Sequence, residues 1–201
     1  LNSSLQRYGG DLAVGAMTIC SSVMQVVFMP LQGLAQGAQP IVSFNYGANR
    51  PDRVKKTFRL LITVAFSATI LIWMFVQFFP EPFVALFNDK PELTSFTVWA
   101  LRIYMAGIFM VGIQTACQQT FVALGQAKVS LFLALLRKVI LLIPLVFILP
   151  LFLSDKVFAV YLAEPIADIT AATCTATVFF FRFNKILAKR EQEVQNSSAI
   201  V

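Results

Sequence analysis

The sequence predicts an all-α integral membrane protein, a polytopic bundle of about five transmembrane helices. Hydrophobic residues make up 58% of the 201 residues, Phe occurs 20 times, and only 13% of residues are charged. A soluble domain carries about 25% charged residues. The core of a soluble domain of this size could not bury this much apolar surface away from water. The apolar runs are long and continuous, which is typical of membrane helices and not of the alternating strands of a membrane barrel.

Five apolar runs are each long enough to cross a bilayer, which needs roughly 20 residues. They cover residues 11–45, 57–79, 96–124, 129–153 and 157–183. Pro30 and Pro40 fall inside the first run, and each removes a backbone hydrogen bond, so we expect a bent helix there.

The two ends of the chain are assigned separately from the five spans. Residues 1–5 look like the end of an apolar helix, so we expect the chain to be a piece of a longer protein. We assign residues 1–187 to one transmembrane unit and residues 188–201 to a polar cytoplasmic tail that is expected to fray.

Basic residues are distributed unevenly between the two sides of such a bundle. With five crossings, 4 of the 16 basic residues fall on one side, and the other 12 fall on the side of the tail. Those twelve are Arg50, Arg53, Lys55, Lys56, Arg59, Lys128, Arg137, Lys138, Arg182, Lys185, Lys189 and Arg190. We expect a protein of the plasma membrane, and the positive-inside rule predicts that its C-terminus is cytoplasmic. The net charge of +6 is then a topology signal, and no nucleic-acid partner is predicted.

Glu164 and Asp168 are candidates to bind an ion or a substrate, because ionisable groups at membrane depth are costly and usually functional. They lie four residues apart, on one helix face, with Pro165 between them. At 1.5 Å per residue, Asp168 lies about 16 Å into the last span, near the bilayer middle. The pair is suited to a proton, a sodium ion or a cationic substrate. In the alternative interpretation, one carboxylate pairs with Arg102 or Arg137.

Three basic residues also fall within the predicted spans. Arg102, Arg137 and Lys138 either extend to the headgroups or act as buried partners of carboxylates. Arg102 and Arg137 are in addition candidates to line a central cavity.

Neutral polar side chains supply further candidates to line that cavity. Gln36, Gln39 and Asn45 lie near the end of the first span, and Gln114 and Gln118 share one face of the third. The alternative is that they form hydrogen bonds between helices.

No catalytic or metal-binding pattern is found in the sequence. There is no His, and the three Cys residues all lie in apolar stretches, so no metal site is assigned. A nucleophile elbow, a P-loop and a zinc-protease motif are absent as well. We predict that the protein is not an enzyme and that it has no cofactor.

Three stretches resemble the multidrug and toxic compound extrusion (MATE) family, and most closely its bacterial multidrug-export branch. Residues Val14–Lys56 resemble the eighth helix of the family and its following loop. Residues Gln118–Pro150 look like the end of the tenth helix and the eleventh, and the segment LAEPIAD (Leu162–Asp168) looks like the start of the twelfth.

The resemblance implies the C-terminal half of a twelve-helix, two-lobe fold. It also implies an antiporter that extrudes cationic lipophilic drugs in exchange for Na⁺ or H⁺, with the N-terminal lobe of the same protein and the lipid bilayer as partners. The family's acid of the tenth helix is absent, since residues 96–124 contain no Asp or Glu. The coupling ion therefore stays open. Two alternatives stay open too: a flippase for lipid-linked precursors and a non-transporting membrane scaffold subunit.

Overall fold

A computed structural model of the chain describes residues 2–88 and 90–198. Residues 1, 89 and 199–201, which include the first residue of the predicted N-terminal helix end and the last of the predicted tail, lie outside the described part. All regular structure in the described residues is helical. The helices are α1 (Asn2–Gly47), α2 (Pro51–Phe78), α3 (Glu81–Ala85), α4 (Pro91–Tyr104), α5 (Val111–Ala123), α6 (Ala127–Leu135), α7 (Ile143–Phe152) and α8 (Lys156–Ser198).

Four described segments are long and apolar enough to cross a membrane. They are α1, α2, the continuous helix over Ala127–Phe152, and α8. Helices α4 and α5 reach that length only together, with a bend of 45° between Pro91–Tyr104 and Ile108–Ala123, so the described residues give four crossings, or five if this pair is one broken span. The predicted class, a polytopic helical bundle of about five crossings, is confirmed.

Helix α1 begins earlier than the sequence predicted and contains one non-helical residue. It begins at Asn2 instead of Asp11, and its one non-helical residue is Gly10, with φ 63° and ψ −159°. Glycine adopts a positive φ readily because it has no Cβ. Backbone angles at Pro30 and Pro40 stay helical, since a proline loses a hydrogen bond while its fixed φ still suits a helix. The residues before Gly10 therefore form a separate helical segment.

The predicted third span, residues 96–124, is not one continuous helix. Helix α4 ends at Tyr104, a 3₁₀ turn covers Ile108–Met110, and α5 follows. Side chains of α2 supply hydrogen-bond donors at this break. Thr69 Oγ1 lies 3.1 Å from the carbonyl oxygen of Phe109 and shares its one proton between this acceptor and the carbonyls of Ala65 and Phe66. Such a break needs outside donors because it leaves backbone carbonyls without intrahelical partners.

The predicted fourth span, residues 129–153, runs from Ala127 to Phe152 and changes its winding midway. Residues Leu136–Leu142 are π-helical, and Pro144 follows two residues later. Pro144 has no N–H to offer the carbonyl of Ile140, and its ring crowds that carbonyl. A wider turn at this point accommodates both effects.

Helix α8 continues past residue 183, where the sequence prediction ended it. It reaches Ser198, so residues 188–198 of the predicted fraying tail are helical. A buried stripe at intervals of four, with Phe179, Phe183 and Leu187 all at most 7% exposed, packs the helix as far as Leu187. Lys189 and Arg190 form ion pairs with Glu193 in the turn that follows. Phe58 of α2 stacks on Phe179 at 4.5 Å between ring centroids.

Helices α1 and α8 run parallel, which defines the two ends of the bundle. At one end Lys156 Nζ lies 5.3 Å from the ring centre of Tyr8. At the other end Arg190 Nη2 donates to the carbonyl of Gly47 at 3.5 Å. We call the second of these the tail end of the bundle.

Candidate functional site

A cluster of four charged side chains joins the π-helical stretch to α8. Arg137 Nε donates directly to Asp168 Oδ1, and Arg137 Nη2 lies 3.6 Å from Glu164 Oε1. Lys138 Nζ donates to the same Glu164 oxygen at 3.2 Å. We call Arg137, Lys138, Glu164 and Asp168 the charge cluster. Two positive and two negative groups balance, so its formal charge is zero.

Local backbone features bring these side chains together. Glu164 and Asp168 are one turn apart on α8 and point to one side. The π-helical turn that carries Arg137 and Lys138 lets both of these adjacent residues reach Glu164. Inserted turns of this kind are frequent at functional sites.

The α4–α5 break lies directly beside the cluster. A Cβ placed on Gly107 would meet the carbonyl oxygen of Pro165 at 2.9 Å and its Cα at 3.0 Å. Only a glycine permits this approach between the break and the helix turn between Glu164 and Asp168.

Burial makes pairing necessary for the two carboxylates and Arg137, whereas the Lys138 side chain is 57% exposed. The side chains of Glu164 and Asp168 are 2% and 1% exposed, and that of Arg137 is 14% exposed. Removing a carboxylate from water costs several kcal/mol unless a cation and hydrogen bonds compensate it. Compensation is incomplete here, because Glu164 Oε2 and Asp168 Oδ2 are buried without a hydrogen-bond partner among the described residues. Each carboxylate therefore retains one acceptor for a further proton or cation.

A shallow, open depression of about 440 Å³ on one face of α1, called the cleft below, lies next to the cluster. Its lining comprises Gln25, Phe28, Met29, Gln32, Gly33 and Gln36. The Arg137 guanidinium carbon lies 5.8 Å from the ring centre of Phe28. Phe28 thus separates the buried arginine from the cleft and contacts both.

The polar side of this cleft continues along α1. Thr18, Ser21, Gln25, Gln32 and Gln36 recur at helical spacing, and all five are exposed. Polar side chains are unfavourable against lipid, so this face is suited to water or to another protein segment.

The structure places the predicted site residues in three different surroundings. Glu164, Asp168 and Arg137 belong to the charge cluster, and Gln36 lines the cleft. The alternative interpretation, in which a carboxylate pairs with a basic residue, is what the structure shows. Arg137 pairs with both carboxylates and Lys138 with Glu164, whereas Arg102 pairs with neither. Arg102 is exposed on α4.

The remaining predicted residues lie outside the cluster and the cleft lining. Gln114 and Gln118 are in α5, where Gln114 Oε1 and Gln118 Nε2 are buried without a partner among the described residues. Asn45 Nδ2 donates to the carbonyl of Ile41 at 2.8 Å near the end of α1. Gln39 is half-buried on the same helix.

Sequence reasoning missed Phe28, Gln25 and Gln32. The signal for the glutamines was available, because Gln25, Gln32 and Gln36 recur with spacings of seven and four residues, which is one helix face. No sequence signal pointed to Phe28, since nothing in a Phe-rich sequence distinguishes a ring that stacks on a buried arginine.

The fold and the charge cluster define a multi-pass helical membrane protein with ionisable groups in its interior. The MatE family model matches residues 1–148, and the chain belongs to this family. The resemblance to the MATE family is therefore confirmed.

Named relatives are bacterial transport proteins. The chain is 25% identical over 174 residues to the multidrug export protein MepA of Staphylococcus aureus strain N315, which covers 85% of this chain and 38% of the relative. It is 26% identical over 133 residues to an FAD transporter of Shewanella oneidensis, which covers 66% of this chain and 29% of the relative. The chain thus spans less than half the length of these relatives.

Solved structures of MATE transporters have the same fold. The MATE multidrug transporter DinF-BH matches at a TM-score of 0.77 and 35% identity, over 92% of this chain and 41% of that one. A MATE in its bent conformation matches at a TM-score of 0.87 and 17% identity, over 94% and 42%. The second similarity speaks for the fold alone.

Proposed function

We propose that this chain is one lobe of a secondary antiporter that extrudes cationic lipophilic drugs in exchange for Na⁺ or H⁺. Family membership and the similarity to MepA and DinF-BH support export of drugs. The observation that carries the ion-coupled part of the proposal is the buried pairing of Arg137 with Glu164 and Asp168 beside a cleft that three glutamines help to line. The other lobe belongs to the same protein, as in a two-lobe transporter.

The proposed mechanism is competition for the two carboxylates. Arg137 occupies them in the described state, and a proton, a sodium ion or a drug cation replaces it. Because Phe28 lies between Arg137 and the cleft, a displaced guanidinium has to pass this ring to reach the polar face of α1. Since only one set of cations balances the carboxylates at a time, ion entry and drug release are coupled. Rocking of the two lobes then exposes the site to alternate sides.

We further propose a plasma-membrane location with the C-terminus in the cytoplasm. The excess of basic residues on the tail side supports this orientation through the positive-inside rule. Contact between Arg190 and Gly47 places the end of α8 beside the basic loop that follows α1. Fusion of a reporter that is active only in the cytoplasm to the C-terminus tests the orientation.

The central experiment measures ethidium efflux by the full-length gene product in a drug-sensitive bacterium. The double variant E164Q/D168N removes both buried carboxylates, and E92Q, an exposed acid at the start of α4, is the matched control. We expect the double variant to lose efflux at normal membrane abundance while E92Q keeps it. Unchanged efflux and unchanged ion dependence in E164Q/D168N would exclude these residues as the coupling site.

Purified protein in liposomes separates the two coupling ions and the alternative substrates. An imposed Na⁺ gradient and an imposed pH gradient are applied separately, and ethidium movement is recorded. Movement of FAD or of a lipid-linked precursor in place of ethidium would contradict the cationic substrate. Absence of any movement under both gradients would favour the scaffold alternative.

A further inference from the structure

A groove between α6 and α8 lies outside the charge cluster and the cleft. It has a volume of about 300 Å³ and is lined by Lys128, Val129, Phe132, Leu133, Val178 and Arg182. Helix α6 follows directly from α5, whose last residue Ala123 accepts a hydrogen bond from Ser43 Oγ at 3.0 Å. The groove therefore opens near the tail end of the bundle.

The groove is polar at its mouth and apolar further in. Phe132 lies one turn deeper along α6 than Lys128, and Val178 lies one turn deeper along α8 than Arg182. Because α6 runs into the bundle from the tail end and α8 runs out towards it, both cations lie at the mouth. The walls behind them are apolar, and Phe132 is 58% exposed.

The two cations at the mouth have no acidic partner. Among the described side chains, neither Lys128 nor Arg182 has a carboxylate oxygen within 4 Å. By contrast, Arg137 and Lys138 are paired inside the charge cluster, and Lys189 pairs with Glu193. Two like charges on facing helices without a counter-ion favour an anion between them.

Helix α6 adds a weaker attraction for the same anion. It begins at Ala127, and Gln126 at its N-cap makes no side-chain capping bond. The amide groups of a first helical turn carry partial positive charge and point out of the helix end. The helix end therefore acts in the same direction as Lys128 and Arg182, although it would not define a site by itself.

We propose that this groove binds an anionic phospholipid, with the phosphate between Lys128 and Arg182 and an acyl chain along Phe132 and Val178. A soluble anion would use the two cations and leave the apolar walls unused. A zwitterionic lipid would use the walls but brings a positive group next to two cations. An anionic lipid uses both the two cations and the apolar walls. Basic pockets between membrane helices are known to hold such headgroups.

The test counts lipids retained by the full-length gene product after purification in mild detergent with added phosphatidylglycerol or phosphatidylcholine. Native mass spectrometry gives the apparent affinity of each. We expect K128Q/R182Q to weaken phosphatidylglycerol binding by about fivefold per cation, or about 25-fold in total. The matched control K185Q removes a cation of α8 that does not line the groove, so it should leave the retention of phosphatidylglycerol unchanged. The charge-preserving variant K128R/R182K should restore it.

Four results would overturn the proposal. One is equal retention of phosphatidylglycerol by K128Q/R182Q and K185Q at equal thermal stability. The second is equal retention of phosphatidylcholine and phosphatidylglycerol by the unmodified protein. The third is displacement of the lipid by inorganic phosphate alone, which would identify a site for a free anion. A groove covered by another part of the longer protein would retain no added lipid, which also contradicts it. Loss of binding in F132Q with both cations intact would support the acyl-chain half of the proposal.

Discussion

The indole nitrogen of Trp73 donates a hydrogen bond to the backbone carbonyl of Ala106 across 3.1 Å. In a continuous helix that carbonyl would accept from the amide of Met110, which instead donates to Gly107. Gln77 Nε2, one turn further along α2, donates to the carbonyl of Arg102 at 2.9 Å. Side chains of one face of α2 thus replace intrahelical donors where α4 gives way to α5.

Substitution of Trp73 by Phe tests the importance of this contact. The W73F variant keeps a ring near Phe109 but leaves the carbonyl of Ala106 without its donor. We expect the free energy of unfolding to fall by about 1–3 kcal/mol, the cost of a buried unsatisfied group. Titration with a denaturing detergent in mixed micelles measures it. The W99F control removes an indole for which the described structure shows ring contacts only, and an equal loss there would contradict the role of the hydrogen bond.

The charge cluster predicts strong coupling between Arg137 and Asp168. We expect R137Q alone to lower the free energy of unfolding by about 3–5 kcal/mol, because it leaves buried carboxylates uncompensated. R137Q/D168N should be less destabilised than R137Q, since one of those charges is gone. A double-mutant cycle on the same unfolding titration gives the coupling energy. Additive effects of the two single substitutions would show that the two groups do not interact in the membrane.

Gly112 and Gly37 lie in different surroundings, so substituting each by alanine tests how closely helices α2 and α5 pack. A Cβ at Gly112 would lie 2.6 Å from the carbonyl oxygen of Ala65 and 2.6 Å from Thr69 Oγ1, whereas a Cβ at Gly37 meets nothing within 4 Å. We expect G112A to destabilise by about 1–3 kcal/mol, because α2 and α5 must separate. G37A should be neutral or stabilising by up to about 1 kcal/mol, since alanine favours helix. The reverse order of thermal stabilities would contradict the packing described for α2 and α5.

Phe28 is predicted to stabilise Arg137 through its ring face. The F28L variant keeps most of the apolar volume and loses the cation–π contact, so we expect a loss of about 0.5–2 kcal/mol in stability. Ethidium efflux should change as well, because Phe28 also lines the cleft. F147L, at a ring that is 66% exposed, is the control for removing an aromatic side chain. A matching change in F147L would show that the effect is not specific to Arg137.

The sequence predicts the charge cluster and the cleft to different extents. The spacing of Glu164 and Asp168 predicts a shared helix face, and the deep position of Arg137 marks it as one of two basic partners. Choosing Arg137 over Arg102 required the fold, because the two arginines belong to different helices and only packing shows which helix faces α8. The glutamines of α1 were readable from their spacing, whereas Phe28 was one of 20 Phe residues with no local feature to single it out.

Sequence alone was enough to predict the class of the protein, a bundle of about five crossings, and the pairing of two acids on one helix face. Composition and periodicity carry that information because lipid demands long apolar helices whatever their neighbours are. Tertiary structure alone decided where those helices break and which charges meet. The break between α4 and α5 depends on donors from α2 and on the approach of Gly107 to Pro165, and the charge cluster depends on the register of α8 against a π-helical turn. These are contacts between residues distant in sequence, and no local pattern encodes them.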